Sequence, residues 1–107
     1  MPILQVNFKL NVPAAEYERI CQSVAQPIAD VPGLRWKVWL LNERDKEAGG
    51  IYLFDTEQAL NDYVAGPIVA LVRSHPALQD LSAKKFDVME AVTAVTRGPV
   101  SAMAAAR

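Results

Sequence analysis

The sequence holds one cysteine and one histidine in 107 residues. Cys21 alone excludes an internal disulfide and every site built from several thiolates. His75 alone excludes a centre that takes two imidazoles from one chain. An excess of one charge is missing too: 11 Lys and Arg stand against 12 Asp and Glu, a formal net charge of −1. Nucleic-acid binders of this size carry a basic surplus, so no nucleic-acid partner is expected. No apolar run approaches the roughly 18 residues of a membrane span. Met1-Pro2-Ile3 has neither the basic start nor the apolar stretch of a secretion signal. No membrane partner and a cytoplasmic location are therefore expected. There is no Walker loop, no G-x-G-x-x-G, no nucleophile elbow and no zinc spacing, so no metal site is expected.

What is present is enough apolar sequence for a core. Hydrophobic residues make up 51% and charged residues 21%, a composition that folds rather than staying disordered. The length suits one domain, expected over residues 1–98, with a frayed tail over 99–107 that is rich in alanine and has no apolar stripe.

Apolar periodicity places the elements. Leu4, Val6, Phe8 and Leu10 alternate with Gln5, Asn7 and Lys9, which predicts a strand over 3–10. Tyr17, Ile20, Cys21, Val24 and Ile28 fall at spacings of three and four. They predict an amphipathic helix over 14–30, capped by Asn11, with Pro13 in its first turn and a kink or end at Pro27. A strand over 34–42, a polar connection and a strand over 47–54 read as a hairpin. Gly49 and Gly50 inside the second strand predict a bulge or a close backbone approach, the bulge being favoured. Asp55 or Thr56 caps a helix to about Ala65. Gly66-Pro67 breaks it, a short helical piece covers 68–73, and His75-Pro76 stops that. A last strand is predicted over 81–89, and 91–98 reads as extended or irregular. The order is β-α-β-β-α-β, the ferredoxin-like α+β pattern.

Two helices cover one side of such a sheet and leave the other bare. The hairpin is apolar on both sides: Trp36, Val38 and Leu40 against Trp39 and Leu41, and Ile51 and Leu53 against Tyr52 and Phe54. A sheet face exposed to water alternates more cleanly. The economical cover for it is a second copy of the chain, so a homodimer is expected.

Three stretches, Gly33-Leu34-Arg35-Trp36-Lys37-Val38-Trp39, Glu47-Ala48-Gly49-Gly50-Ile51-Tyr52-Leu53-Phe54 and Lys85-Phe86-Asp87-Val88, resemble the YdhR family, whose members are classed as monooxygenases. The resemblance runs from about residue 3 to residue 97; the Gly66-Pro67 break and the chain after Arg97 depart from the family's usual shape. It implies a ferredoxin-like fold that dimerises into an α+β barrel. It also implies an architecture like that of oxygenases that use dioxygen on aromatic molecules without a cofactor.

Chemistry of that kind requires aromatic walls, a base or cation, and hydrogen-bond donors that stabilise a phenolate or enolate. Lys37 is the candidate anion stabiliser, Tyr52 the phenol donor and Glu47 the base. Trp36, Trp39, Phe54 and Asp87 are the candidate binding residues, Asp87 doubling as a possible base. Each has a plainer reading. Trp36 can be core beneath the helices, and Trp39 and Tyr52 can be interface packing. Lys37 can be a solvated charge, and Glu47 and Asp87 can be ion-pair partners. The expected partners are a small aromatic molecule and dioxygen, with no cofactor. A non-catalytic dimer that binds the same molecule is the alternative. A haem-handling barrel is a third reading, which would rest on His75.

Overall fold

Strand β1 (Pro2–Leu10) alternates as the sequence predicts, with Leu4, Val6, Phe8 and Leu10 all buried. The structure is a computed structural model that describes residues 1–100; the rest of the expected tail lies outside the described residues. After β1 come α1 (Ala14–Ala29), β2 (Leu34–Asn42), β3 (Glu47–Phe54), α2 (Glu57–Val64), α3 (Pro67–Ser74), β4 (Leu78–Asp87) and α4 (Glu90–Val95). The four strands form one antiparallel sheet in the order β2-β3-β1-β4. That is the ferredoxin-like arrangement. No helix among the described residues is long and apolar enough to cross a membrane.

One side of the sheet carries the main core. Leu4, Val6, Phe8, Ala48, Tyr52 and Phe54 pack with Tyr17 and Ile28 of α1, Leu60 and Tyr63 of α2, and Val69 of α3. Full burial of residues such as Phe54, Leu4 and Leu60 contributes on the order of 1.5–3 kcal/mol each.

Several local expectations are corrected. Asn11 does not cap α1: Pro13 holds that position without a side-chain bond, and Asn11 instead bonds Pro76 and Ala77 across the chain. Pro27 does not end α1, which runs on to Ala29. The carbonyl that Pro27 leaves unpaired belongs to Ser23; both residues are exposed, so water can serve it. Strand β4 begins at Leu78, and the left-handed Asp80 and a register shift opposite Asn7 to Lys9 hid its start in the sequence. Residues 90–95 are helical, not extended. The helix α4 closes with Gly98 N–H on the Thr93 carbonyl and Arg97 N–H on the Ala94 carbonyl, Arg97 being left-handed. This is the Schellman motif, here built on a residue other than glycine, which the sequence therefore concealed. Thr56 does cap α2, accepting from the Ala59 N–H at 3.1 Å, and Pro67 does open α3.

The pair Gly49-Gly50 is no bulge either: both pair in unbroken register with β1 and β2. The bulge lies in β2, where Leu34 faces Phe54 and Trp36 faces Leu53, so Arg35 is the extra residue. Leu34 packs on the core. One inserted residue reverses the alternation after it. Lys37 therefore pairs with Tyr52 on the helix side, while Trp36 goes to the far side.

On that far side the chain from α4 onward folds back over part of the sheet. The Trp36 indole N–H donates to the Pro99 carbonyl at 2.9 Å. Leu53 is 0% exposed and Val100 5%, although neither belongs to the main core cluster.

Candidate active site

Beneath α1 the sheet and helices enclose a cavity of about 50 Å³. Tyr17, Ile20, Cys21, Val24 and Ile28 line it from α1, and Val6, Lys37, Trp39, Gly49 and Tyr52 from the sheet. Its walls are almost wholly apolar, and neither a carboxylate nor the histidine is among its lining residues.

Lys37 is the one charged side chain there. Its Nζ lies 3.3 Å from the centroid of the Trp39 ring and 4.6 Å from that of Tyr52. Rings at this range attract an ammonium through their negative faces. No acidic side chain among the described residues forms an ion pair with it. Burial lowers the amine's pKa from 10.5 to about 8, since removal from water penalises the charged form. Gly50 makes this placement possible. A β-carbon there would stand 2.6 Å from Lys37 Cε, so the bare glycine leaves the lysine stem room to lie along the sheet.

Tyr52 is fixed from behind. The Tyr63 hydroxyl donates to the Tyr52 hydroxyl at 3.0 Å, and Tyr52 stacks on Phe54 with ring centroids 6.1 Å apart. Burial raises both phenols above their ordinary pKa, so neither is a base. Tyr17 and Cys21, one turn apart on α1, neighbour each other at the cavity edge, and burial raises both of them as well. Trp39 forms a wall of the cavity. It is 38% exposed, and it borders the cavity and two surface clefts of about 330 and 220 Å³. A larger groove of about 520 Å³, between the end of α1 with the turn to Gly33 and helices α2 and α3, has Asp30 and Asp62 but no cationic side chain.

Of the seven candidate residues, the structure brings four together: Lys37, Trp39, Tyr52 and, behind Tyr52, Phe54. Trp36 is on the opposite face, bonded to Pro99. Glu47 points to the opposite face of the sheet from Tyr52, where it pairs with Lys9 at 3.7 Å, and it does not line the cavity. Asp87 ends β4 in an exposed position away from the cavity. The sequence reading missed Tyr63. Its place on the inner face of α2 was legible, but its bond to Tyr52 depends on packing. His75 lies at the end of α3, where its Nδ1 accepts from the Ala77 N–H at 3.1 Å. His75 is not among the residues that line the cavity.

Comparison with known proteins adds the following. The family model described as "Putative mono-oxygenase ydhR" matches residues 3–99. No curated protein matches the sequence. Among solved structures, a protein of unknown function from Nitrosomonas europaea, NE2512, is 17% identical with a TM-score of 0.71, over 84% of this chain and 90% of that one. SnoaB, a cofactor-independent oxygenase from Streptomyces nogalater, is 21% identical with a TM-score of 0.66, over 81% and 92%. MhuD, a heme-degrader from Mycobacterium tuberculosis with two hemes bound in its active site, is 19% identical with a TM-score of 0.60, over 81% and 95%. At these identities the likeness is one of fold.

Proposed function

The chain belongs to the ydhR family of mono-oxygenases, and from that premise we propose that it oxygenates a phenol or enol of aromatic type with dioxygen and without a cofactor. One observation carries this reading: a lone amine held over two aromatic rings in an otherwise apolar chamber. Dioxygen reacts slowly with closed-shell molecules, so the protein must raise the electron density of its substrate. An ammonium in a dry site does so by favouring the phenolate over the phenol. The phenol can supply every electron itself: phenol plus dioxygen gives quinone plus water, with one oxygen atom going to each product.

The residues divide the task. Lys37 holds the anionic oxygen, Tyr52 donates to it, and Trp39 stacks on the ring. A cavity of about 50 Å³ is too small for an aromatic ring. The Trp39 ring therefore moves aside on binding, joining the cavity to the clefts that it borders.

The test is oxygen uptake by the purified protein with a broad panel of phenols and hydroquinones. Uptake above the uncatalysed rate, lost in Lys37→Met, is the expected result. Tight binding of panel members without turnover would favour the non-catalytic carrier instead, and neither binding nor uptake would remove the cavity from consideration.

We also propose that two copies pair through the far side of the sheet. Val38 and Phe86 are about half exposed there, and Met89, Val92 and Val95 of the adjoining α4 region are more exposed still. An apolar face of this kind marks an interface. Sedimentation should give twice the chain mass, and Val38→Lys with Phe86→Lys should give the single-chain mass with the fold retained. A single-chain mass for the unaltered protein would overturn the pairing.

A further inference from the structure

Phenol or enol chemistry needs a base as well as a cation, and the carboxylates best placed by sequence, Glu47 and Asp87, stand outside the cavity. The titratable groups that line it are few. Tyr17 and Cys21 come from α1, Tyr52 from β3 and Tyr63 from α2, and the one remaining group is Lys37 of β2. Burial raises the three phenols and the thiol, so none of them is poised to accept a proton near neutrality.

We propose that Lys37 is itself the base of the site: its neutral amine takes the hydroxyl proton of a bound phenol or enol, and the ammonium so formed holds the resulting anion. The ligand O–H bond breaks and a new N–H bond forms, and no electron leaves either partner. One side chain thus fills two roles, which explains how a chamber lined by no carboxylate can serve weakly acidic substrates. The ligand class follows as well. A phenol or enol enters uncharged and becomes an anion only beside the amine, whereas a carboxylate would have to shed its water of hydration at the door. The surroundings agree. The amine lacks an acidic partner among the described residues, and at its pKa of about 8 a substantial fraction is neutral at mildly alkaline pH. This inference rests on the cavity being the ligand site.

The probe is 2-naphthol, whose neutral and ionised forms absorb differently, used at about pH 9, where most free naphthol is still neutral and about nine-tenths of the amine is neutral. Two quantities are read: the ionisation state of bound naphthol, and the protons released on binding, from calorimetry in buffers of different ionisation enthalpy. The unaltered protein should bind naphtholate while releasing almost no proton, because the proton stays on Lys37. Lys37→Arg, a cation that cannot act as a base, should bind naphtholate with release of about one proton per ligand. Lys37→Met should bind neutral naphthol. Neutral naphthol in the unaltered protein, or release of about one proton from it, would overturn the base role and leave the cavity reading standing. Naphtholate bound by Lys37→Met without proton release would assign the proton elsewhere and overturn it equally. No binding by the unaltered protein would overturn the cavity reading and this inference together.

Discussion

The hydroxyls of Tyr52 and Tyr63 meet at 3.0 Å in the protein interior, each residue about 5% exposed. The bond ties the Tyr52 hydroxyl to α2. The pair links the structural layer of α2 to the chemical layer of the sheet, and both its stability and its orienting effect can be measured.

Removing either hydroxyl leaves the other without its partner. Tyr52→Phe and Tyr63→Phe should each cost about 1–2 kcal/mol in urea unfolding. The double variant should cost less than the two costs added together, by about 1 kcal/mol. Simple additivity would mean that the two hydroxyls do not interact.

Gly49 and Gly50 adjoin in sequence but differ in what surrounds them. A β-carbon at Gly49 meets the Val6 backbone carbonyl, which cannot yield, so Gly49→Ala should cost about 1–3 kcal/mol. A β-carbon at Gly50 meets the flexible end of Lys37 and, at 3.2 Å, the Val38 carbonyl, so Gly50→Ala should cost about 1 kcal/mol, less than Gly49→Ala. It should, however, displace the amine, and Lys37 should then react faster with an amine reagent. Equal stability losses in the two variants would contradict this account.

Burial holds the Lys37 pKa at about 8 in the folded chain, below its ordinary 10.5. As pH falls from 10.5 the unfolded chain takes this proton first, so the lysine's contribution to stability declines between 10.5 and about 8 and is constant below. Lys37→Met removes the penalty, and it should raise stability at pH 7 by about 1–3 kcal/mol, less whatever the ring contacts return. The difference between the two proteins should shrink as pH rises through that window. Denaturant midpoints across pH measure it, and a difference that does not change with pH would refute the assignment.

Trp36 anchors the chain after α4 by one hydrogen bond to Pro99. Trp36→Phe keeps a ring in place but deletes the donor. Amide exchange over residues 97–100 should accelerate, with global unfolding shifted by about 1 kcal/mol or less. Unchanged exchange there would show that the indole N–H does not hold this segment.

The fold was largely legible because its signals are local and repeat. The alternation in β1, the three-and-four spacing in α1 and the Gly66-Pro67 break each follow from the pattern of their own segment. The site was half legible. Lys37, Trp39, Tyr52 and Phe54 follow from strand pairing once the hairpin is recognised. Trp36, a candidate binding residue with core beneath the helices as its plainer reading, was misplaced because counting by twos from Leu34 ignores the residue bulged out at Arg35. Glu47 and Asp87 looked suitable as acids and bases by residue type, but strand alternation turns Glu47 to the far face and the end of β4 leaves Asp87 exposed. Left-handed residues other than glycine, Asp80 and Arg97, hid the start of β4 and the end of α4.

The two indoles of β2 are alike in composition and three positions apart, yet one borders the cavity and the other ties down the far end of the chain. The single supernumerary residue at Arg35 decides which does which. Any matching of this hairpin to a relative, by eye or by design, must therefore count that residue before it counts tryptophans. An alignment that pairs indole with indole and skips it would transplant the amine to the wrong side of the sheet.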